Sequence, residues 1–176
     1  GPPLAQQVQL AHRLMPLAKR MGVLYREAGQ HEINILLAAS AVTSTGTVVV
    51  PILVESLLTA RALADAADRV DVLIASNDSA LFNRDSAKLI LLTAYRHQRA
   101  VIGPTPAFVS AGAVATQAVP KPVLIAAIVA RVRHWQASGH LGHSQAVTRF
   151  APVFNTQVAR SLGISIAPDL LREAQP

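Results

Sequence analysis

The chain has 176 residues and no cysteine. This absence excludes thiol catalysis, disulfide bridges and cysteine-ligated zinc sites, and it fits either an oxidising or a reducing compartment. Aromatic residues make up only 4% of the sequence, which argues against a surface that stacks nucleic acid bases. The 51% apolar fraction therefore consists mainly of Ala, Val, Leu and Ile, a composition that favours helices packed on a sheet.

Acidic residues are also scarce, with 10 Asp and Glu against 16 Lys and Arg, so the formal net charge is +6. Such a charge suits nucleic acid binding only when the basic residues form a patch or stripe. Here the densest groups (residues 19–20, 96 with 99, and 131 with 133) lie near the ends of predicted helices, where cations interact favourably with the helix dipole. Nucleic acid is therefore not expected as a partner.

No apolar run approaches the roughly 18 residues that a membrane span requires, so no span is expected. The first residues, Gly1-Pro2-Pro3, are typical of what a protease leaves after removing a tag. Residues 1–4 are therefore predicted to be a disordered remnant, any signal peptide is presumed removed, and residues 5–176 are predicted to form a single domain.

The most informative stretch, residues 70–115, reads as strand, polar turn, long helix, strand and a Gly/Pro-rich turn. Its strands, predicted over residues 72–75 and 100–102, are short and continuously apolar, as in a parallel sheet covered on both faces. They end at Ser76-Asn77-Asp78 and at Gly103-Pro104. Because ligands of such sheets bind outside the carboxyl ends of the strands, these turns are the expected location of a site.

Along the rest of the chain, segments with the pattern of a strand alternate with segments with the pattern of a helix. Pro51 interrupts a β-branched run and predicts an edge strand or a bulge. The alternation predicts an α/β fold, a three-layer sandwich with a mainly parallel sheet. Helices are predicted over residues 5–20, 32–42, 56–69, 123–136 and 157–162, and further strands over residues 22–25, 47–54 and 150–154.

The chain offers little for catalysis, cofactors or metals. His134, His140 and His143 lie close in sequence without a nearby carboxylate to complete a metal site, so an exposed loop is the preferred interpretation. The small residues of 38–47 lack the phosphate-binding Gly-Lys pattern, and Gly46 is better explained as a helix C-cap. With no Gly-x-Ser-x-Gly elbow and few carboxylates to pair, no enzyme, cofactor or metal is predicted.

Three segments carry a resemblance to a known family. They are LAHRLMPLAKRMGVLY (residues 10–25), residues 70–78 with 101–115, and VFNTQVARSLGISIAPDLL (residues 153–171). In this order they resemble the ABC-transporter substrate-binding proteins whose better-known members bind tryptophan, tyrosine and similar amino acids in a two-lobed periplasmic clamp. The middle segment matches through Gly103, Phe108, Val109, Gly112 and Ala113.

The resemblance implies a non-enzymatic, periplasmic or otherwise extracytoplasmic protein that recognises a small metabolite such as an amino acid for transport or sensing. The implied partners are a membrane transporter or signalling protein, with a homodimer as a further option. The chain starts where the second lobe of this family starts, so half of the cleft is expected. Residues 116–120 depart from the family's Gly-Val-Asp-Tyr turn, which puts one ligand contact in doubt.

Loops at the carboxyl ends of the strands supply the candidate ligand-binding residues. An amino acid needs a cation for its carboxylate, an acid for its ammonium and an apolar wall, which Arg26, Asp78 and Phe108 would provide. The same residues have structural interpretations: a solvated loop charge, a helix cap and a core side chain. The full candidate set is Tyr25, Arg26, Glu27, Ser76, Asn77, Asp78, Thr105 and Phe108.

A second function remains open at this point. The alternative to solute recognition is a single-lobe accessory module that docks a membrane transport or signalling protein or associates with a second copy. Exposed apolar residues would favour docking, whereas a polar rim around a concavity would favour a ligand.

Overall fold

The structure, a computed structural model, describes residues 1–42, 46–54, 58–143 and 149–174. Helices and strands alternate along most of these ranges, as predicted. The elements are α1 (Leu4–Leu14), β1 (Arg20–Tyr25), α2 (Gln30–Val42), β2 (Val48–Leu53), α3 (Ala60–Arg69), β3 (Val72–Ala75), α4 (Arg84–Arg96), β4 (Ala100–Ile102), α5 (Pro106–Ala111), β5 (Ala115–Ala118), α6 (Lys121–Ser138), β6 (Ala151–Phe154), α7 (Thr156–Ser161) and α8 (Pro168–Ala174).

Within the described residues, six strands form one sheet in the order β2-β1-β3-β4-β5-β6. All neighbouring pairs are parallel except β5 and β6, which are antiparallel. Strand β2 lies at the edge and pairs its Pro51 with Val23 of β1, so the predicted edge position of this proline is confirmed. The predicted α/β class with a mainly parallel sheet is confirmed as well.

Two apolar clusters cover the two faces of this sheet. Neighbouring residues of a strand alternate between them: Val23 and Ile74 belong to the cluster that includes residues of α1, α2 and α8, whereas Leu24 and Leu73 belong to the cluster with residues of α3, α4 and α5. This alternation follows from the two-residue repeat of a strand. The sheet is thus the middle layer of three, and helices pack against both of its faces.

The first helix is shorter than predicted. α1 ends at Leu14 rather than at residue 20, because Pro16 follows and disfavours helical conformation at the residue before it. Lys19 and Arg20 therefore do not lie in a last helical turn. Their backbone N–H groups donate to the Asp71 carboxylate at 2.8 and 2.9 Å. These bonds hold the pKa of Asp71 below its ordinary value, and the bond from Arg20 has the larger effect.

The Gly/Pro-rich stretch at the end of residues 70–115 is more regular than the predicted turn. Thr105 caps α5 by accepting a hydrogen bond from the Phe108 N–H, and Pro106 occupies the first helical position, where its missing donor costs nothing. Strand β5 begins three residues after α5 ends, although no strand was predicted there. The signal for α5, Thr followed by Pro, is present in the sequence.

Three boundaries differ from their predictions or lie partly outside the described residues. α3 begins at Ala60 with Thr59 as its N-cap, and residues 56–57 of the predicted helix lie outside the described ranges. The predicted helix end near Gly46 includes residues 43–45, which also lie outside them. Leu4, placed in the predicted disordered remnant, is the first residue of α1 and is buried in the core.

Helix α6 differs from the others because none of its 18 residues is buried. Six of its large apolar side chains are 40–60% exposed, and it carries no acidic residue. The helix begins just beyond β5, at the edge of the sheet where the carboxyl ends of the parallel strands meet. Among the described residues, no helix combines the length and apolar character that crossing a membrane requires.

Candidate functional site

The carboxyl ends of β1 and β3 open into a cavity of about 310 Å³, here called the edge cavity. Five of the eight predicted site residues line it, because β1 and β3 are neighbours in the sheet and their following loops meet. These five are Tyr25, Arg26, Ser76, Asn77 and Asp78.

Arg26 and Asp78 form a bidentate ion pair across the edge cavity. The Arg26 Nε donates to Asp78 Oδ2 at 2.7 Å, and Nη2 donates to Oδ1 at 2.9 Å. The pair is only partly exposed, and a guanidinium has five N–H donors, of which these bonds use two. Arg26 thus has donors left for a further anion while Asp78 holds its orientation.

The Asp78 carboxylate is also held by the backbone. Its Oδ1 accepts a hydrogen bond from the Ala80 N–H at 2.9 Å, and the Asp78 N–H donates to the Ser76 hydroxyl at 3.4 Å. The hydrogen bonds from Arg26, with this backbone bond as a smaller cause, keep the pKa of Asp78 below its ordinary value. The group is therefore ionised at neutral pH, and most of its acceptor capacity is already used.

The polar neighbours of this pair are fixed by their own bonds. The Asn77 side chain donates from Nδ2 to the Pro2 carbonyl at 2.7 Å, which ties the loop after β3 to the start of α1. The Tyr25 hydroxyl donates to Gln30 Oε1 at 3.1 Å, so its ring is held as a buried wall. The edge cavity therefore has a preformed shape.

A carboxylate that the sequence analysis did not single out also lines the edge cavity. Glu32, in the first turn of α2, accepts one hydrogen bond from the Leu4 N–H at 3.2 Å and is otherwise exposed. The predicted Glu27 begins a short 3-10 turn instead and is not among the lining residues. An acidic residue in the first helical turn after a strand is the sequence signal that could have identified Glu32.

The remaining two predicted site residues lie elsewhere. Thr105 caps α5, and Phe108 is 6% exposed within the core cluster of α3, α4 and α5. Both line a different, larger concavity of about 820 Å³ between α4 and α5, here called the helix groove. The structure therefore does not bring Phe108 to Arg26 and Asp78. The position of Phe108 matches its interpretation as a core side chain rather than as the apolar wall of that site.

Gln7 of α1 forms a buried polar network that sequence reasoning missed. It is 1% exposed, and its Nε2 donates to the Gly103 carbonyl at 3.3 Å and to the Thr116 hydroxyl at 3.1 Å. Its Oε1 accepts from the Gln117 N–H at 3.0 Å. These bonds attach α1 to Gly103, just after β4, and to two residues of β5.

The chemistry of the edge cavity suits binding of a small charged molecule. One guanidinium and two carboxylates face a space large enough for a small metabolite, above the buried Tyr25 and Ile33. In the described ranges, no three His, Cys, Asp or Glu side chains lie close enough to hold a metal ion.

Comparisons by sequence find no counterpart: no family model matches the chain, and no curated protein matches it. Solved structures do match. An ABC domain in complex with L-Trp from Streptococcus pneumonia superposes with a TM-score of 0.74 at 21% identity, over 98% of this chain and 59% of that one. A conserved domain protein from Vibrio cholerae gives 0.70 at 23% identity, with the same coverage.

A third match is a ligand-free, open substrate-binding protein with adhesive properties from Clostridium difficile, with a TM-score of 0.64 at 18% identity, over 93% of this chain and 56% of that one. Identities this low show the fold alone. The chain spans less than two thirds of the length of each of these structures. The resemblance predicted from sequence is confirmed at the level of the fold: over 93–98% of its length the chain has the fold found in part of each of these structures, one of which is a substrate-binding protein.

Proposed function

We propose that this protein is a non-enzymatic solute-binding lobe that holds a small zwitterionic metabolite, such as an amino acid, in the edge cavity. The observation that supports it best is the Arg26–Asp78 ion pair, which presents an oriented guanidinium with unused donors at the ligand-binding edge of an α/β sheet. An extracytoplasmic location and a membrane transporter or signalling protein as partner are part of this proposal.

Each part of an amino acid has a counterpart in the edge cavity. Arg26 receives the ligand's carboxylate with its unused N–H groups, because a guanidinium matches the planar carboxylate. Glu32 accepts from the ammonium, since Asp78 is already engaged with Arg26 and Ala80. Asp78 thus acts as a positioning residue rather than as the ammonium ligand that the sequence suggested.

A second lobe completes this site in the proposal. The edge cavity is open, whereas a tight small-molecule site buries most of its ligand. The matched structures have about two fifths of their length outside the part that this chain spans. By itself the chain is therefore expected to bind weakly, with a dissociation constant of roughly 1 mM.

A thermal-shift titration tests the proposal with L-tryptophan as the probe. At about ten times a 1 mM dissociation constant, ligand binding stabilises the protein by about 1.4 kcal/mol, which raises Tm by about 4 °C. Tryptamine lacks the carboxylate and indole-3-propionate lacks the ammonium, so each is expected to give a smaller shift. We expect Arg26→Gln to weaken L-tryptophan binding at least ten-fold.

Arg20→Gln is the matched control, because it removes the same charge from the opposite end of the same strand. It is expected to leave the shift unchanged. Equal shifts for L-tryptophan in wild type and Arg26→Gln would rule out the edge cavity as its site. If neither amino acids nor other small metabolites shift Tm, the solute-binding function itself is wrong.

The surface of α6 favours a second candidate function, an interaction module that associates with a second copy of itself. A helix that is apolar on all sides is normally buried. Here Ile125, Ile128 and Trp135 are 60%, 53% and 53% exposed. Covering them against another α6 removes apolar surface from water, whereas Lys121 and Arg131 oppose the contact through like charge.

Light scattering at increasing protein concentration tests this candidate. We expect the 18.6 kDa chain to reach about twice that mass. Added salt should strengthen the association by screening the cations of α6. The triple variant Ile125→Gln, Ile128→Gln, Val132→Gln should remain monomeric.

The control for this test changes three exposed apolar residues outside α6, namely Leu17→Gln, Ile35→Gln and Leu171→Gln. It is expected to associate as the wild type does. A wild-type chain that stays monomeric at every concentration excludes the module and leaves α6 free for a second lobe.

A further inference from the structure

The helix groove is a second concavity with the character of a ligand site. Its volume of about 820 Å³ lies within the range of small-molecule sites. The buried side chains Phe82, Leu91 and Phe108 contribute to its lining. Leu92 and Tyr95 of α4 also line it and are 43% and 49% exposed, so apolar surface faces the open space.

Small residues create this space. Ala87 on α4 and Ala107, Ala111 and Gly112 on or beside α5 all line the groove, where larger side chains would fill it. The two helices are well anchored. Asn83 and Ser86 form a capping box at the start of α4, and Thr105 caps α5. The groove is therefore a stable feature of the packing between two helices.

The charge of the lining is of one sign. Arg84 and Lys88 lie one turn apart on α4, so they share a face of the helix, and both side chains are exposed. No aspartate or glutamate is among the described residues that line the groove, and neither cation forms a salt bridge with another described residue. The side-chain oxygens of Asn83 and Thr105 are already engaged in capping, and the Asn83 Nδ2 donates to the Ser79 and Ala80 carbonyls.

We propose that the helix groove binds a small amphipathic carboxylate, with an alkyl or aryl body along Leu91, Leu92 and Phe108 and its anionic head at Arg84 and Lys88. The apolar lining removes the alkyl or aryl body of the ligand from water, and the two unpaired cations attract its carboxylate. The site is separate from the edge cavity, because the two share no lining residue.

Decanoate, titrated by calorimetry, is the probe, with decanol as its uncharged counterpart. We expect decanoate to bind with one site per chain and decanol to bind at least five-fold more weakly. The double variant Arg84→Gln, Lys88→Gln is expected to weaken decanoate binding about five-fold. Its matched control, Arg96→Gln, removes a cation from the end of the same helix outside the groove and should have no effect.

A groove-filling variant tests the location. Ala111→Phe puts a ring into the open groove from an exposed position, and it is expected to weaken decanoate binding at least ten-fold at an unchanged Tm. Ser110→Phe adds the same ring to the same helix outside the groove, and it should bind decanoate as the wild type does. If Ala111→Phe lowers Tm, Ala107→Phe replaces it, because that residue also lines the groove and is exposed.

Two other apolar or charged surfaces compete for such a probe. Loss of decanoate binding in the Ile125→Gln, Ile128→Gln, Val132→Gln variant would place the probe on α6 and overturn the proposal. Loss in Arg26→Gln would place it in the edge cavity, with the same consequence. Two further results would also overturn the proposal: equal weakening of decanoate binding by Ala111→Phe and Ser110→Phe, or equal affinity of the protein for decanoate and decanol. The thermal-shift results with L-tryptophan test the edge cavity and do not bear on the helix groove.

Discussion

Replacing Gln7 with leucine is expected to lower the free energy of unfolding by about 2 kcal/mol, although leucine has a similar volume and is more apolar. The physical reason is the network around this side chain. Gln7 Oε1 accepts the hydrogen bond of the Gln117 N–H, and Gln117 is buried. Without Gln7, the Gln117 N–H is left buried and unpaired.

The substitution costs the acceptors of this network less, because the Gly103 carbonyl still accepts a hydrogen bond from the Thr116 hydroxyl at 2.7 Å. The cost of Gln7→Leu therefore measures chiefly one orphaned backbone donor. Urea unfolding followed by circular dichroism gives the value. Gln9→Leu, two residues along the same helix at an exposed position, is the matched control and should change stability by less than about 0.5 kcal/mol. Equal stability of the two variants would contradict the network's role.

Gly103→Ala is expected to destabilise the protein by about 2 kcal/mol, because it overpacks the contact between β4 and α5. A Cβ atom at this position would lie 2.8 Å from the Cβ of Phe108 and 3.1 Å from that of Ala113. Neither neighbour is the movable end of a long side chain, so α5 itself has to shift. The glycine is needed for close approach of the backbone to a helix.

Gly29→Ala is the control for this variant, since a Cβ there would meet only the Cβ of Tyr25, at the ordinary distance of 3.8 Å. It is expected to leave stability unchanged or slightly higher, because alanine restricts the unfolded chain. Thermal unfolding of both variants by calorimetry checks the pair. If Gly103→Ala unfolds at the wild-type temperature, the close approach of α5 to β4 is not a constraint on the fold.

The fold was largely predictable because its signals are local. Short apolar strands ending in polar or Gly-Pro turns predicted β3 and β4 within the right residues, and Pro51 predicted an edge strand. Buried strands and their turns depend on residues that are neighbours in sequence. Errors fell where one local signal outweighed another, as at Pro16, which ends α1 before the basic residues that were assigned to its last turn.

The candidate site was predictable only in part. The rule that ligands bind beyond the carboxyl ends of parallel strands brought Arg26 and Asp78 together correctly, since β1 and β3 are adjacent. It did not show that the two would pair with each other. It also placed Phe108 on the same site, although the inward face of α5 directs this side chain into the core.

The sequence by itself determined the α/β class, the order of most elements, the edge of the sheet at which polar residues gather and the absence of thiol chemistry. Only the tertiary structure decided which of those polar residues share a cavity, that Glu32 joins them and that Gln7 pairs with residues about 100 positions away. It also showed that α6 buries none of its residues. Periodicity reports which face of an element is apolar, whereas the partner of a buried polar group or an apolar helix depends on long-range packing.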